Sequence, residues 1–215
     1  MQFRTVPLNR LRIYCATGNP GKLSEFQLAG GLLDIDIQPL ADLRSIAAPE
    51  ETGATFEENA ILKAEYYSRF APGPLFADDS GLEVDALNGA PGVYSARYAG
   101  EHASKHAGDA ANNALLLERM AGTIDRAARF VCVIALAVAG KAERTFRGEV
   151  EGQILHEPHG PGGFGYDPLF YYPPFGCTFG EARDSGKFAV SHRGNALRGM
   201  LEYLRLQYLT DVPSR

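Results

Sequence analysis

Residues 76–100 read FADDSGLEVDALNGAPGVYSARYAG, and the rest of the chain is organised around this stretch. Two adjacent acids, Asp78 and Asp79, follow a short apolar run, and the turn-forming residues Ser80 and Gly81 come directly after them. We expect a strand that ends in the acids and breaks into a turn, which would bring carboxylates to the rim of a sheet, where open α/β sheets bind ligands. An isolated acidic turn is often merely solvated, but the glycine and proline residues that follow fix the backbone and favour a site.

The overall composition limits the class of protein. The chain has 215 residues, of which 45% are hydrophobic and 22% charged, values that are ordinary for a globular domain. Its formal net charge of −5 provides no basic field of the kind that nucleic-acid binders use. The longest apolar run, residues 130–139, is too short to span a membrane. We therefore expect neither a nucleic acid nor a membrane as a partner.

The cysteines and the amino terminus bear on the compartment. Cys15, Cys132 and Cys177 are far apart and show neither disulfide-framework nor zinc-site spacing. The first residues contain no continuous apolar segment of the kind found in a secretory signal. A reducing compartment fits best, and we expect a cytoplasmic location.

The segment TGNPGK, residues 17–22, follows a predicted strand at residues 11–16 and opens a predicted helix. Asn19 suits the N-cap of that helix and Pro20 its first turn. Backbone amides at a helix N-terminus bind anions, and Lys22 adds a positive charge, so the segment favours phosphate binding. It lacks the first glycine and the hydroxyl residue of a Walker A loop. A simple turn that starts a helix remains an alternative.

A second helix is predicted from Thr55 to about residue 70. Thr55 and Glu58 form the pattern of a capping box at its start. Asn59 and Lys63 are four residues apart and share a face of this helix. The pair can therefore form an inward polar stripe, although a lysine at such a position is usually solvated.

Periodicity and turn residues predict the remaining elements. The predicted strands are residues 35–40, 130–139, 143–154 and 168–172, and further helices begin at about Asp109 and after Ser191. The segment 156–176 is rich in glycine, proline and aromatic residues. Its rings can stack on a nucleobase or pack on the core, and both interpretations remain open. A compact basic group precedes the last helix and consists of Lys187, His192 and Arg193.

Five motifs, in this order, resemble the inosine triphosphate pyrophosphatases, also called dITP/XTP pyrophosphatases. They are ATGNPGK, PEETGATFEENAILKA, FADDSGLEVDALNGAPGVYSARYAG, GGFGYDPLF and SHRGNAL, and the resemblance extends from Ile13 to about Leu204. It implies an α/β fold with an elongated mixed β-sheet flanked by helices and two lobes with a cleft between them. It also implies a homodimer that uses Mg²⁺ to hydrolyse ITP, dITP and XTP to the nucleoside monophosphate and pyrophosphate.

The resemblance also implies a role for individual residues. Asp79 corresponds to the catalytic proton acceptor and, together with Glu50, to a magnesium ligand. The residues that correspond to substrate contacts are Thr17, Gly18, Asn19, Pro20, Gly21, Lys22, Lys63, Ser80, Phe164, Gly165, Tyr166, Asp167, Lys187, His192 and Arg193. Among them, residues 17–22 correspond to the phosphate loop, residues 164–167 to the base-and-sugar loop, and His192 with Arg193 to the reader of the purine edge.

The chain departs from the family pattern in two places. It has an N-terminal extension of about residues 1–10 before a single pyrophosphatase domain, and it reads GEARDSGKF where relatives often carry a more acidic helix. Three alternative functions remain open at this point. They are a pyrophosphatase of modified pyrimidine or methylated nucleotides, a nucleotide-binding regulator without turnover, and a phosphatase that releases orthophosphate from monoesters.

Overall fold

A mixed β-sheet forms the centre of the fold in the computed structural model, which describes residues 11–208 apart from the side chains of residues 184, 185 and 208. The strands within these residues are β1 Leu11–Cys15, β2 Ile35–Pro39, β3 Leu75–Val84, β4 Ala127–Val138, β5 Lys141–Ile154, β6 Phe170–Tyr172 and β7 Cys177–Thr178. Their order in the sheet is β2-β1-β3-β4-β5-β6-β7. The first three strands are parallel, and the pairs from β3 onward are antiparallel. The proposed N-terminal extension lies outside the described residues.

Helices cover the sheet and connect its strands. They are α1 Pro20–Gly31, α2 Phe56–Ser68, α3 Lys105–Arg119, α4 Asp184–Val190 and α5 His192–Tyr208. Short 3₁₀ turns occur at Leu43–Ser45, Asp85–Leu87, Gly92–Arg97 and Pro173–Phe175. A mixed α/β fold with helices flanking the sheet is thus confirmed, whereas the two lobes with an intervening cleft stay a prediction.

The two faces of the sheet are packed against different helices. One face buries apolar side chains such as Phe76 and Ile134 against α1 and α5. The opposite face buries smaller side chains, among them Ala77 and Val133, against α2. Side chains alternate between the faces along a strand, so consecutive residues of β3 are presented to different helices.

The prediction that the strand after residue 74 ends at the two acids is wrong. β3 continues through Ser80 and Gly81 to Val84, and it stays paired with β4 over its whole length. Gly81 is needed for packing rather than for a turn, because a Cβ at this position would collide with the side chain of Ser95 and would lie 2.8 Å from the carbonyl oxygen of Gly92. The acids therefore stand inside a ten-residue strand.

Two helices also differ from the sequence prediction. Helix α3 begins at Lys105, before the predicted start near Asp109, because the side chain of Ser104 caps it by accepting a hydrogen bond from the Ala107 amide. Helix α4 was not predicted. The helix expected after Ser191 is α5, and Ser191 Oγ accepts from the Gly194 amide as an N-cap does.

The predicted helix starts at Asn19 and Thr55 are confirmed. Across residues 11–208, no helix is both long enough and apolar enough to cross a membrane.

Candidate active site

The candidate site lies where β3 loses one of its neighbours. Strand β1 ends at Cys15 and pairs with β3 only as far as Phe76. Asp78, Asp79 and Ser80 come after Ala77 on β3, and within the described residues they are paired with a strand only on the β4 side; we call the unpaired β1 side of this segment the gap. Such a gap at the carboxyl end of a parallel strand is the usual place for a ligand in an open α/β sheet.

Asp78 is paired with the lysine of the TGNPGK segment. Lys22 Nζ lies 2.6 Å from Asp78 Oδ2, and the hydroxyl of Ser80 is 3.4 Å from the same oxygen. Burial raises the pKa of Asp78, but the charges of Lys22 and Arg193 and the hydrogen bond from Lys22 outweigh it and lower the pKa to about 2. Asp78 is therefore a permanent anion at neutral pH.

Asp79 has its partners on helix α2. Lys63 Nζ lies 2.8 Å from Asp79 Oδ1, and Asn59 Nδ2 donates to Asp79 Oδ2 at 3.3 Å. Burial raises the pKa of Asp79, and the nearby carboxylate of Glu51 adds to this, so that Lys63 and Asn59 compensate only in part and the pKa stays above its usual value. The predicted inward polar stripe of α2 is thus confirmed by its contacts.

The two acids are held from opposite faces of the sheet. Asp78 meets Lys22 of α1, whereas Asp79 meets Lys63 of α2. This follows from the alternation of side chains along β3. Beside β3, groups from both faces therefore lie close to adjacent residues of one strand.

Glu50 and Glu51 are placed differently. Glu51 Oε1 lies 3.3 Å from Lys63 Nζ, so Glu51 shares this ammonium with Asp79. Glu50, the acid that corresponds to the family's metal ligand, is exposed. The sequence analysis did not single out Glu51, although its position next to Glu50 was a usable signal.

The TGNPGK segment caps its own helix. Asn19 Oδ1 accepts from the amides of Gly21 at 2.9 Å and Lys22 at 3.3 Å, and Thr17 Oγ1 accepts from the Asn19 amide. These bonds engage three amides of the segment that would otherwise be available to an anion. The side chain of Lys22, directed toward Asp78, is the clearest positive group of the segment.

The two aromatic rings of the 164–167 loop lie in different surroundings. Tyr166 is buried, and its hydroxyl donates to the Ser95 carbonyl at 2.9 Å, so this ring attaches the loop to the core. Phe164 is 38% exposed, so part of its ring can contact a ligand. Asp167 Oδ2 accepts from the Phe164 amide at 2.8 Å and from Lys187 Nζ at 2.5 Å, which ties the loop to the basic group.

His192 and Arg193 are buried at the start of α5. The ring of His192 is stacked on Phe130 with centroids 4.9 Å apart. Burial, together with the charges of Arg193, Lys22 and Lys187, holds the pKa of His192 well below 6.5, so the imidazole is neutral at pH 7. Arg193 Nη1 lies 3.3 Å from Glu25 Oε2 of α1.

The basic group still has hydrogen-bonding capacity. His192 Nδ1 and Arg193 Nε are buried and have no hydrogen-bond partner in the described part of the chain. Unpaired buried polar atoms are rare and are characteristic of ligand sites. Glu25, which the sequence analysis missed, lies three residues after Lys22 on α1, a spacing that places both on one side of the helix.

The acids offer oxygen ligands, which suit magnesium. Asp78, Asp79 and Glu51 provide only carboxylate oxygens near the gap, with the Ser80 hydroxyl beside them. Among the described residues, no group of three or more His, Cys, Asp or Glu side chains is arranged to hold a metal without further ligands. Magnesium often relies on one or two carboxylates, with water and substrate phosphate as its other ligands. The donor set therefore fits this ion.

The fold and the site together define a mixed α/β protein in which two buried acids on one strand are paired with lysines from opposite faces of the sheet, with a helix N-terminus and a partly exposed aromatic ring nearby. The chain belongs to the Ham1 family, whose model matches residues 13–203. This confirms the resemblance that the five motifs indicated.

Relatives of known name and structure agree with this assignment. The dITP/XTP pyrophosphatase of Acidobacterium capsulatum is 51% identical over 199 residues, which cover 90% of this chain and 98% of the relative. That of Exiguobacterium sibiricum is 52% identical over 190 residues, 87% of this chain and 94% of the relative. The Ham1 protein structure from Coxiella burnetii matches with a TM-score of 0.82 at 43% identity, covering 91% of this chain and 99% of that one.

Proposed function

We propose that this protein hydrolyses non-standard purine nucleoside triphosphates, namely ITP, dITP and XTP, to the nucleoside monophosphate and pyrophosphate. The observation that carries the proposal is the pair of buried acids on β3, each bound to a lysine from a different face of the sheet. Two lysines and a helix N-terminus beside the gap are suited to a polyphosphate, and the basic group, with Lys187 on α4 and His192 and Arg193 on α5, is suited to a base. The names of the relatives supply the reaction class.

Mg²⁺ is the proposed cofactor, with Asp79 and Glu50 as its ligands; Glu51 shares the Lys63 ammonium with Asp79. When bound, the ion would neutralise phosphate oxygens and polarise the α–β phosphoanhydride bond. The site supports this assignment by its oxygen-only donors and by the burial of Asp79. Asp78 is not a proposed ligand of the ion, because the charge of Lys22 already neutralises its carboxylate.

In the proposed reaction, water attacks the α-phosphorus and pyrophosphate leaves. Asp79 orients the water and accepts its proton, since its raised pKa makes it the better base of the two adjacent acids. Lys22 and Lys63 stabilise the negative charge that develops on the departing pyrophosphate. The Ser80 hydroxyl and the Thr17 to Lys22 loop hold the phosphate chain in line.

Selectivity for the base follows from the purine 6-position. Hypoxanthine and xanthine present an oxygen acceptor there, whereas adenine presents an amino donor. The unpaired donor of Arg193 suits an acceptor, and it would be left unsatisfied by adenine. A buried polar mismatch of this kind discriminates by about 10⁴-fold. Phe164 is the proposed stacking ring for the base.

We propose two further properties, the oligomeric state and the location. The homodimer is proposed from the family resemblance. The cytoplasmic location is proposed because Cys15, Cys132 and Cys177 are free thiols.

The test of this function is product analysis with a panel of nucleotides. ITP, dITP, XTP, GTP, ATP and a modified pyrimidine triphosphate are incubated with the protein and Mg²⁺, beside Asp79→Asn and the exposed control Asp125→Asn. We expect monophosphate and pyrophosphate from ITP and XTP, little from ATP, and a loss of at least about 10³-fold in kcat for Asp79→Asn alone.

Each alternative predicts a different result in this assay. Orthophosphate as the product would indicate a phosphatase. Cleavage of the pyrimidine nucleotide alone would indicate a different base pocket. ITP that is bound but left intact would indicate a regulator without turnover.

A further inference from the structure

Helix α3 holds the 164–167 loop through both backbone groups of one residue. The amide of Gly165 donates to Asp109 Oδ2 at 3.0 Å, and the carbonyl of Gly165 accepts from Asn113 Nδ2 at 3.0 Å. Asp109 and Asn113 are four residues apart on α3 and therefore share a face. Gly165 has a φ of +60°, in the left-handed region that favours glycine.

The bond to Gly165 is the hydrogen bond that the side chain of Asn113 makes within the described residues. Its Oδ1 is buried and has no hydrogen-bond partner among the described residues. An unpaired buried oxygen costs free energy, so the position of Asn113 is unfavourable except for its bond to Gly165. A residue selected for stability alone would be apolar at such a position. This favours a role in positioning the loop.

Asp109 and Asn113 together are called the clamp below, and the residue next to their point of attachment in the loop is Phe164. Fixing both the amide and the carbonyl of Gly165 sets the two peptide planes that flank it, and the first of these planes joins Gly165 to Phe164. On the other side, the Phe164 amide is held by Asp167. The Phe164 ring lies among three cations, with Lys105 Nζ 4.4 Å, Lys187 Nζ 5.2 Å and the Arg193 guanidinium carbon 5.5 Å from its centroid.

We propose that Asp109 and Asn113 are positioning residues that set the Phe164 ring for stacking on the purine base. The inference rests on the proposed function and deepens it. Neither residue contacts Lys22, Lys63 or the two acids of β3, so the clamp acts on the base half of the nucleotide and not on the phosphate half. Loss of the clamp therefore weakens base recognition selectively.

The test compares a complete nucleotide with a ligand that has only the phosphate half. KM and kcat for ITP are measured for Asp109→Ala and Asn113→Leu, together with the competitive inhibition constant of inorganic tripolyphosphate. Each variant is expected to raise KM for ITP about tenfold, the contribution of one hydrogen bond of this kind, and to leave the tripolyphosphate constant unchanged.

Two matched variants serve as controls. Asp109→Asn keeps an oxygen acceptor for the Gly165 amide and is expected to restore most of the affinity for ITP. Glu118→Ala removes an exposed acid of the same helix away from the loop and is expected to change neither constant. Thermal unfolding of each variant verifies that it is folded. If Asp109→Ala does not fold, Asn113→Leu still carries the test.

The outcomes separate this inference from the proposed function. Equal weakening of ITP and tripolyphosphate would overturn the inference, because α3 would then support the whole site. An unchanged KM in both clamp variants would overturn it as well. If the wild-type protein does not cleave ITP, the proposed function fails. Calorimetric binding of inosine monophosphate then decides the inference, with weaker binding by the clamp variants supporting it and equal binding overturning it.

Discussion

Asp78 and Asp79 are adjacent in the chain, and their surroundings move their pKa values in opposite directions. Lys22 and Arg193 lower the pKa of Asp78 to about 2, whereas burial keeps that of Asp79 above its usual value. The alternation of side chains along β3 is the cause, since it gives each acid a different helix as its neighbour. Neighbouring acids that differ in this way are suited to different tasks.

The identity of the second metal ligand is testable by replacing the two adjacent glutamates separately. Glu50→Gln is expected to raise the magnesium concentration for half-maximal activity by at least about tenfold, because a carboxylate ligand is lost. Glu51→Gln is the matched comparison and is expected to have a smaller effect, since its carboxylate lies against Lys63. A larger effect of Glu51→Gln in this titration would reassign the ligand to Glu51.

His192 is expected to make folding stability depend on pH. Its pKa in the folded protein is well below the 6.5 of an exposed imidazole. As the pH falls below about 6.5, the unfolded chain takes up a proton that the folded protein does not, so the free energy of unfolding decreases by up to about 1.4 kcal/mol per pH unit. Above this range the contribution is fully present.

Urea unfolding between pH 5 and pH 8 checks this expectation. His192→Gln should flatten the decrease at low pH relative to the wild type, whereas His156→Gln, which replaces an exposed histidine, should leave it unchanged. Parallel pH profiles for the wild type and His192→Gln would contradict the assignment of a buried neutral imidazole.

At the scale of elements, close packing of α5 on β5 sets the position of the basic group. A Cβ at Gly148 of β5 would collide with the carbonyl oxygen of His192 and the amide of Ala196. Only glycine therefore lets the first turn of α5 approach the strand this closely. The start of α5 carries His192 and Arg193, so this contact sets the position of the residues that we propose for base recognition.

Gly148→Ala is expected to displace the start of α5. We expect a loss of about 1–3 kcal/mol in the free energy of unfolding and a raised KM for ITP, because overpacking shifts the backbone. Gly199→Ala is the matched control in the same helix, where a Cβ would make an ordinary contact 3.7 Å from Phe146. Steady-state kinetics and urea unfolding measure both variants, and equal behaviour of the two would contradict the argument.

The sequence predicted many elements because their signals are local. Cap residues such as Asn19 and Thr55 and the apolar run of β4 are readable without a structure. The course of β3 was not readable in this way. Glycine is required at position 81 because Ser95, from a later turn, packs against it. Turn-forming residues inside a paired strand gave a misleading local signal there.

The candidate site was predictable only in part, because local signals identify its residues but not their contacts. Motif residues indicated which side chains belong to it, but their partners come from other elements. Glu25 with Arg193, and Asp109 with Gly165, are pairs that only tertiary packing creates. Such pairs decide the geometry of the site.

At the scale of the whole molecule, the sheet brings two halves of a site together. The gap beside β3 gathers the acids, with Lys22 and Lys63 reaching it from α1 and α2. The start of α5 and the 164–167 loop carry the residues that we propose for the base, and the ion pair between Arg193 and Glu25 links α5 to α1. In the proposed function, one nucleotide contacts both halves, with its α-phosphorus at the acids.

The most direct test of this central claim is hydrolysis of ITP in water labelled with ¹⁸O, with mass spectrometry of the products. Attack of water at the α-phosphorus predicts that one labelled oxygen enters inosine monophosphate and that pyrophosphate remains unlabelled. Label in pyrophosphate would place the attack at the β-phosphorus, and labelled orthophosphate would place it at the γ-phosphorus. Either result would contradict the proposed arrangement of Asp79 and the lysines around the α-phosphorus.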